Sequence, residues 1–359
     1  MTIEQPGTPV VGVQILRALA ATMVVFVHLD GELIRLHHGD LGAFWLATGV
    51  DIFFVISGFI MWTSVERRSG MTASEFLRNR IIRIVPLYWL VSAFVVCVLL
   101  VAPQTARTAA LEPLHAVASF LFLPARHPTT GRFWPIIVAG WSLNYEILFY
   151  LIFAAAIKFS DGKKTKRFAL IFILLLIVFL LGRLFQSSID VMKFYASPIT
   201  AEFILGIILA IVYQSKKITP SFAYLALVPT GFFLLWAASH LAIWPGTTGV
   251  GAALIVAGAV LTPPIRENPL SRLGDASYSL YLTHGIVLSA LAWLCERLYP
   301  DISPLLLVSL GLFAAITLAF ITYNQLELPT TRLLKQLWTS RSHQESGDRT
   351  LAGESVAGE

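Results

Sequence analysis

The sequence predicts an all-α integral membrane protein with about ten transmembrane helices, and three observations carry that prediction. Charged residues make up 13% of the 359 residues and hydrophobic residues 56%, against about 25% and about 45–50% in an ordinary soluble domain. With a mean hydropathy of +0.74, the chain cannot cover a water-facing surface with polar side chains. Apolar stretches recur at spanning length, and Lys and Arg gather in alternate loops. Crossing the hydrocarbon core takes about 20 apolar residues per helix. Ten spans would use roughly 200 residues on that figure, which leaves no room for a large soluble catalytic domain, a nucleic-acid-binding domain or a disordered scaffold.

In chain order, the first six spans are Val11–Leu29, Ala43–Ser64, Ile84–Ala102, Trp141–Ile157, Phe168–Phe185 and Pro198–Tyr213. Four more follow at Phe222–Leu241, Thr247–Pro263, Ser277–Leu294 and Pro304–Leu326. Each is bounded by polar residues or by Pro and Gly, which punctuate apolar runs. Leu114–Leu123 is too short to span and reads as an interfacial or re-entrant segment. Residues 1–10 are polar and lack the basic region and cleavage site of a signal peptide, so the first span stays in the mature chain. The chain divides into a short cytoplasmic tail (1–10), one membrane domain (11–335) and a polar, disordered cytoplasmic tail (336–359), with no appended soluble domain.

The net charge is +5 and the pI near 9.2, which in a membrane protein points to cytoplasmic loops rather than nucleic acid. With the N-terminus inside, 18 of the 26 Lys and Arg residues fall on the cytoplasmic side and seven outside, with Arg17 in the first span. That bias sets both termini in the cytoplasm, as ten spans require. Cys97 and Cys295 both lie in apolar runs and read as small hydrophobes, not a disulfide.

Polar side chains inside the spans need a reason, because a charge at a helix centre costs about 2.5–3.5 kcal/mol on insertion scales. Arg17 and His28 are eleven residues apart in the first span. At 100° per residue they share a face, roughly 16 Å apart along the axis. An interfacial arginine and a core histidine would satisfy the same pattern. A stripe joining a cation to a titratable base also suits a charged ligand that enters at one end and reacts near the other. Arg80 and Arg83, three residues apart on a helical start, point to one side and offer forked donors suited to phosphate; a positive-inside anchor is the alternative. Asp51, Glu146, Glu202 and His284 also fall inside spans. Individually each reads more readily as a packing contact than as a catalyst. Glu146 and His28 fall at similar depth, so a carboxylate–imidazole pair is allowed. No metal-spaced His/Cys cluster and no nucleotide-binding loop occurs, so neither a bound metal nor a nucleotide-hydrolysing pump is expected.

These residues in this order resemble the integral-membrane acyltransferase 3 family. The likeness rests on Arg17 and His28, the Gly49–Phe59 segment, Arg80-Ile-Ile-Arg83 followed by Pro86-Leu-Tyr88-Trp89, and Trp141-Ser-Leu-Asn-Tyr-Glu146. It continues through Ser277-Tyr278-Ser-Leu-Tyr281-Leu-Thr-His284 and Glu327-Leu-Pro329, covering about residues 10–335. The resemblance implies an inner-membrane enzyme that takes an acyl group from cytoplasmic acyl-CoA and places it on a hydroxyl of a surface or exported glycan. It implies a catalytic role for His28 and contact of Arg80 and Arg83 with the donor, with no bound cofactor beyond that donor. The Ile84-Val-Pro-Leu-Tyr-Trp stretch is most like members that decorate exopolysaccharide.

The residue chemistry is compatible with this. A thioester is already activated, so acyl transfer needs a base for the acceptor hydroxyl, which a neutral imidazole supplies. Glu146 is the carboxylate candidate to orient that base. Asn144, Tyr145, Tyr278 and Tyr281 are candidate donors to the developing oxyanion, Arg17 lies along the donor's path, and Asp51 and His284 are candidate site-lining groups. Whether His28 acts as base or carries the acyl group is open at this level. The competing reading is a secondary transporter or glycan flippase, which would share the helix count and midplane charges but often carries an inverted repeat; none is evident.

Overall fold

A computed structural model describes residues 11–68, 70–102, 111–215, 217–241, 243–244 and 246–338. Both predicted tails lie largely outside the described residues, as do Ser69, Arg107 and Lys216.

The first helix, α1, runs over Val11–Arg35, longer than its apolar stretch because Glu32 and Arg35 pair across its last turn at 2.6 Å. A 3₁₀ turn at Ala43–Thr48 leads into α2, Gly49–Glu66. Next, α3 spans Ala73–Val101 and starts well before the apolar run. Thr72 caps it by accepting from the Glu75 amide at 3.2 Å, and its first three turns are polar. Hydropathy marks where a helix meets lipid, not where it begins. Pro86 sits inside α3 and cannot donate to the carbonyl of residue 82.

The short α4, Pro113–Phe120, occupies the segment read as too short to span. Then follow α5 (Trp141–Phe159), α6 (Lys164–Phe185), α7 (Asp190–Tyr195), α8 (Ile199–Gln214), α9 (Leu227–His240) and α10 (Thr247–Leu261). The chain continues with α11 (Pro269–Asp275), α12 (Ser277–Leu298) and α13 (Pro304–Thr322). A π turn at Tyr323–Glu327 extends α13, and helix continues to Trp338, three residues into the predicted disordered tail.

Among the described residues, nine helical segments are long and apolar enough to cross a membrane. The tenth expected span, α10, has only 15 residues, or about 22 Å against a core of about 30 Å. It starts after Gly246 and stops before Pro263 and Pro264. Gly249, Gly251 and Gly258 let it lie against its neighbours, and its interior face is buried. The protein is a multi-pass, all-α membrane protein.

Two glycines at one crossing set the spacing of α2 and α8. A Cβ at Gly58 of α2 would fall 2.1 Å from the Phe203 carbonyl oxygen of α8, and one at Gly206 would fall 2.0 Å from that of Val55. The backbones therefore touch directly, a common mode where lipid removes the hydrophobic drive between helices. The main core runs through α2, α3, α5, α8 and α10, with stacked rings such as Phe149–Phe203 at 4.3 Å. A second core joins α1, α12 and α13.

Candidate active site

One end of the bundle opens into a cavity of about 890 Å³, formed by the start of α1, the end of α2, the first turns of α3, and the extension of α13. Its lining includes Val13 near the first described residue and Lys335 near the last. Arg17, Arg67, Arg68, Arg78, Arg80, Arg83 and Lys335 line it, against Glu75, Asp275 and Glu327. A strongly cationic chamber results, with room for a ligand much larger than a sugar.

A second chamber of about 110 Å³ shares Arg17, Ile60, Arg80 and Arg83 with the first. Those three arginines stand where the volume narrows. Arg80 and Arg83 lie roughly two and three turns into α3, so they reach the bundle interior rather than a loop surface. Arg80 donates to Ser64 Oγ at 2.9 Å and lies over the Phe76 ring at 5.5 Å. Arg17 donates to Gln14 Oε1 at 3.0 Å, and Gln14 Nε2 donates to Asp275 at 2.5 Å. Burial pushes the Asp275 carboxyl above its ordinary value, opposed by the charges of Arg17 and Arg83. Arg83 has no hydrogen-bond or ion-pair partner among the described residues, and none of the three arginines forms an ion pair there. With Arg17 buried, Arg80 and Arg83 half-buried and all three weakly paired, these guanidinium groups are poised for an anionic ligand.

Glu146 lies in the inner chamber, but its partners are not histidines. It accepts from Ser57 Oγ at 2.9 Å and from the Tyr150 hydroxyl at 2.7 Å. The pairing with His28 that helix depth allows is not formed. Depth along one helix fixes level but not bearing, and α5 turns its Glu146 toward α2 and α3. Tyr150 follows Glu146 by four residues, so its place on that face is readable from helix spacing; Ser57 carried no such signal.

At the far wall of the inner chamber, Tyr281 and Ser142 share a hydroxyl–hydroxyl bond of 2.9 Å. Tyr278 also lines the chamber, and its hydroxyl donates to the Ile84 carbonyl at 2.7 Å, beside the Pro86 interruption of α3. One helical turn beyond Tyr281, His284 meets His28, with ring centroids 4.7 Å apart and planes at 67°. His28 itself lines neither chamber.

The structure thus gathers Arg17, Arg80, Arg83, Glu146, Tyr278 and Tyr281 around connected chambers and sets His28 against His284 just past them. Asp51 and Asn144 line neither chamber. Asp51 hydrogen-bonds Glu202 of α8 instead, and Asn144 is buried with its Oδ1 unpaired among the described residues. Tyr145 likewise faces away, donating to the Phe194 carbonyl. Glu327 carries no sequence signal beyond its Glu327-Leu-Pro329 motif. It enters the site because the π turn rotates its carboxylate inward, to accept from Ser279 Oγ at 2.6 Å. Among the described residues no group of three or more His, Cys, Asp and Glu side chains is arranged to hold a metal.

Comparison with known proteins follows the same outline. Residues 10–324 match the family model described as an acyltransferase domain. The chain is 37% identical to the exopolysaccharide production protein ExoZ of Rhizobium meliloti, over 71% of this chain and 80% of that one. It is 26% identical to nodulation protein 10 of Rhizobium leguminosarum bv. viciae, over 90% and 95% of the respective chains. No solved structure matches the chain.

Proposed function

The chain belongs to the acyltransferase 3 family, and from that premise we propose that it moves an acyl group, acetyl in the first instance, from cytoplasmic acyl-CoA to a hydroxyl of an exported or cell-surface glycan. The observation that carries this reading is the pair of chambers joined at Arg17, Arg80 and Arg83. The larger suits the nucleotide and its phosphates, which need several forked or point cations. The smaller suits a slim thioester arm. On this reading the cationic chamber faces the cytoplasm, both termini lie on that side, and the protein resides in the inner membrane. The acceptor class rests on the relative named for exopolysaccharide production.

In the reaction, the acceptor oxygen attacks the thioester carbonyl carbon and His28 takes the hydroxyl proton. The new C–O bond forms and the C–S bond breaks. The departing thiolate then takes the proton from the imidazolium, so no metal or ATP is consumed. Nearby hydroxyl or guanidinium donors would stabilise the intermediate oxyanion. Of these, the Tyr281 hydroxyl, one helical turn from His284 and shared with Ser142 in this state, stands on the His28 side, whereas Arg17 lies roughly 16 Å from His28 along α1.

Purified protein incubated with labelled acetyl-CoA and an exopolysaccharide acceptor should transfer label to the glycan, and the host's surface glycans should lose acyl groups when the protein is absent. Unchanged glycan acylation, together with no acceptor-dependent consumption of acyl-CoA, would overturn the reading.

A further inference from the structure

A catalytic histidine needs a second group to fix its tautomer and orientation, commonly a carboxylate. Here the carboxylate inside the site, Glu146, is engaged by Ser57 and Tyr150. No carboxylate hydrogen-bonds His28 among the described residues. What touches the His28 ring is His284.

The state of His284 can be read from its contacts. Its Nδ1 lies 3.1 Å from the Leu280 carbonyl oxygen, one turn back along α12. A carbonyl only accepts, so Nδ1 carries the proton and Nε2 presents a bare lone pair. The residue is 1% exposed, and Nε2 has no partner among the described residues. Buried acceptors are rarely left unpaired, and a group left so needs an explanation. The two rings meet edge to face, and the Tyr281 ring stands 6.2 Å from His284 on the chamber side. A buried acceptor is thus held rigidly beside the proposed base, one turn from the chamber wall.

We propose that His284 is the positioning residue for His28, its Nε2 lone pair accepting the His28 N–H and leaving the opposite His28 nitrogen free as base. This rests on the acyltransferase reading and adds to it an imidazole where other systems use a carboxylate. During transfer the acceptor's proton passes to the free nitrogen of His28, while the Nε2 of His284, unpaired among the described residues, accepts the N–H on the opposite side of the His28 ring. The proton leaves with the CoA thiol when the C–S bond breaks. His284 gains and loses nothing over the cycle.

Three variants test the role: His284→Phe keeps the ring but not the acceptor, His284→Gln returns an acceptor near the Nε2 position, and His284→Leu is a second apolar replacement should the Phe variant fold poorly. Turnover, KM for acetyl-CoA, donor affinity and melting temperature are measured on each. The apolar variants should lose about 10- to 100-fold in kcat with KM and donor affinity unchanged, and Gln should restore turnover to within a few-fold of wild type. Full turnover in a folded apolar variant would overturn the proposal, as would a Gln variant as slow as the apolar ones, since that result marks packing rather than acceptance. A wild-type protein that neither binds nor consumes acetyl-CoA would instead sink the underlying acyltransferase reading.

Discussion

Arg83 and His28 separate what a lone charge does from what shape and chemistry do. Arg83 has no partner among the described residues and lines both chambers. Arg83→Lys keeps the charge and loses the fork. Acyl-CoA affinity should fall by about 1–3 kcal/mol, the scale of lost charged hydrogen bonds, with membrane insertion unaltered. Equilibrium binding of the donor to the purified variant measures this, and unchanged affinity would reduce the arginine to an anchor. For His28→Ala, turnover per folded molecule should drop by about 10²–10⁴ while donor binding and yield hold. Retention of more than a tenth of wild-type turnover would pass the role to another group. The Arg17–His28 stripe was legible because both lie on one helix and 100° steps place them on one face. Ser57 opposite Glu146 and His284 beside His28 were not, because helix spacing says nothing about which neighbouring helix arrives opposite a side chain.

At the scale of the helices, the α2–α8 crossing is the contact least able to give way. The atoms a new side chain would strike at Gly206 are backbone, with the Val55 oxygen 2.0 Å from the added Cβ and the Phe59 nitrogen 2.9 Å away. Gly206→Leu should cost more than the roughly 1–3 kcal/mol of ordinary overpacking, because no rotamer change relieves it. Folded yield and melting temperature in detergent should both fall, whereas Gly285→Ala, with nothing within 4 Å of its Cβ, should leave them unchanged. Hydropathy located the membrane-embedded part of every long helix. It missed the polar first turns of α3 and the inward rotation of Glu327 on the π turn, since neither changes the apolar content of the run. Those two features supply much of the large chamber. The site is therefore less readable than the bundle that holds it.

For the molecule as a whole, the start of the first described helix and the end of the last line one cavity. On the basic-residue bias, that end is expected to face the cytoplasm. In a background lacking Cys97 and Cys295, Ser215→Cys should react with a maleimide only after the inner face is made accessible, and Thr129→Cys should react from outside. Labelling of Ser215→Cys by an impermeant outside reagent would invert the assignment.

The narrowing between the chambers also has an electrical consequence. A protein that moves a reactive group across a membrane must not let ions follow it. Three guanidinium groups meet one carboxylate, Glu146, at this point. A cation roughly 7 Å from each uncompensated charge, at an effective dielectric of about 20, is opposed by about 2 kcal/mol per charge. Fixed positive charge at a constriction is a known way to turn protons and metal cations back. The arginines would thus insulate the bilayer at the narrowing between the chambers. Liposomes containing the wild-type protein should hold a pH gradient, and those containing an Arg17→Gln, Arg80→Gln double variant should dissipate it faster; equal tightness of the two would assign the insulation to packing instead.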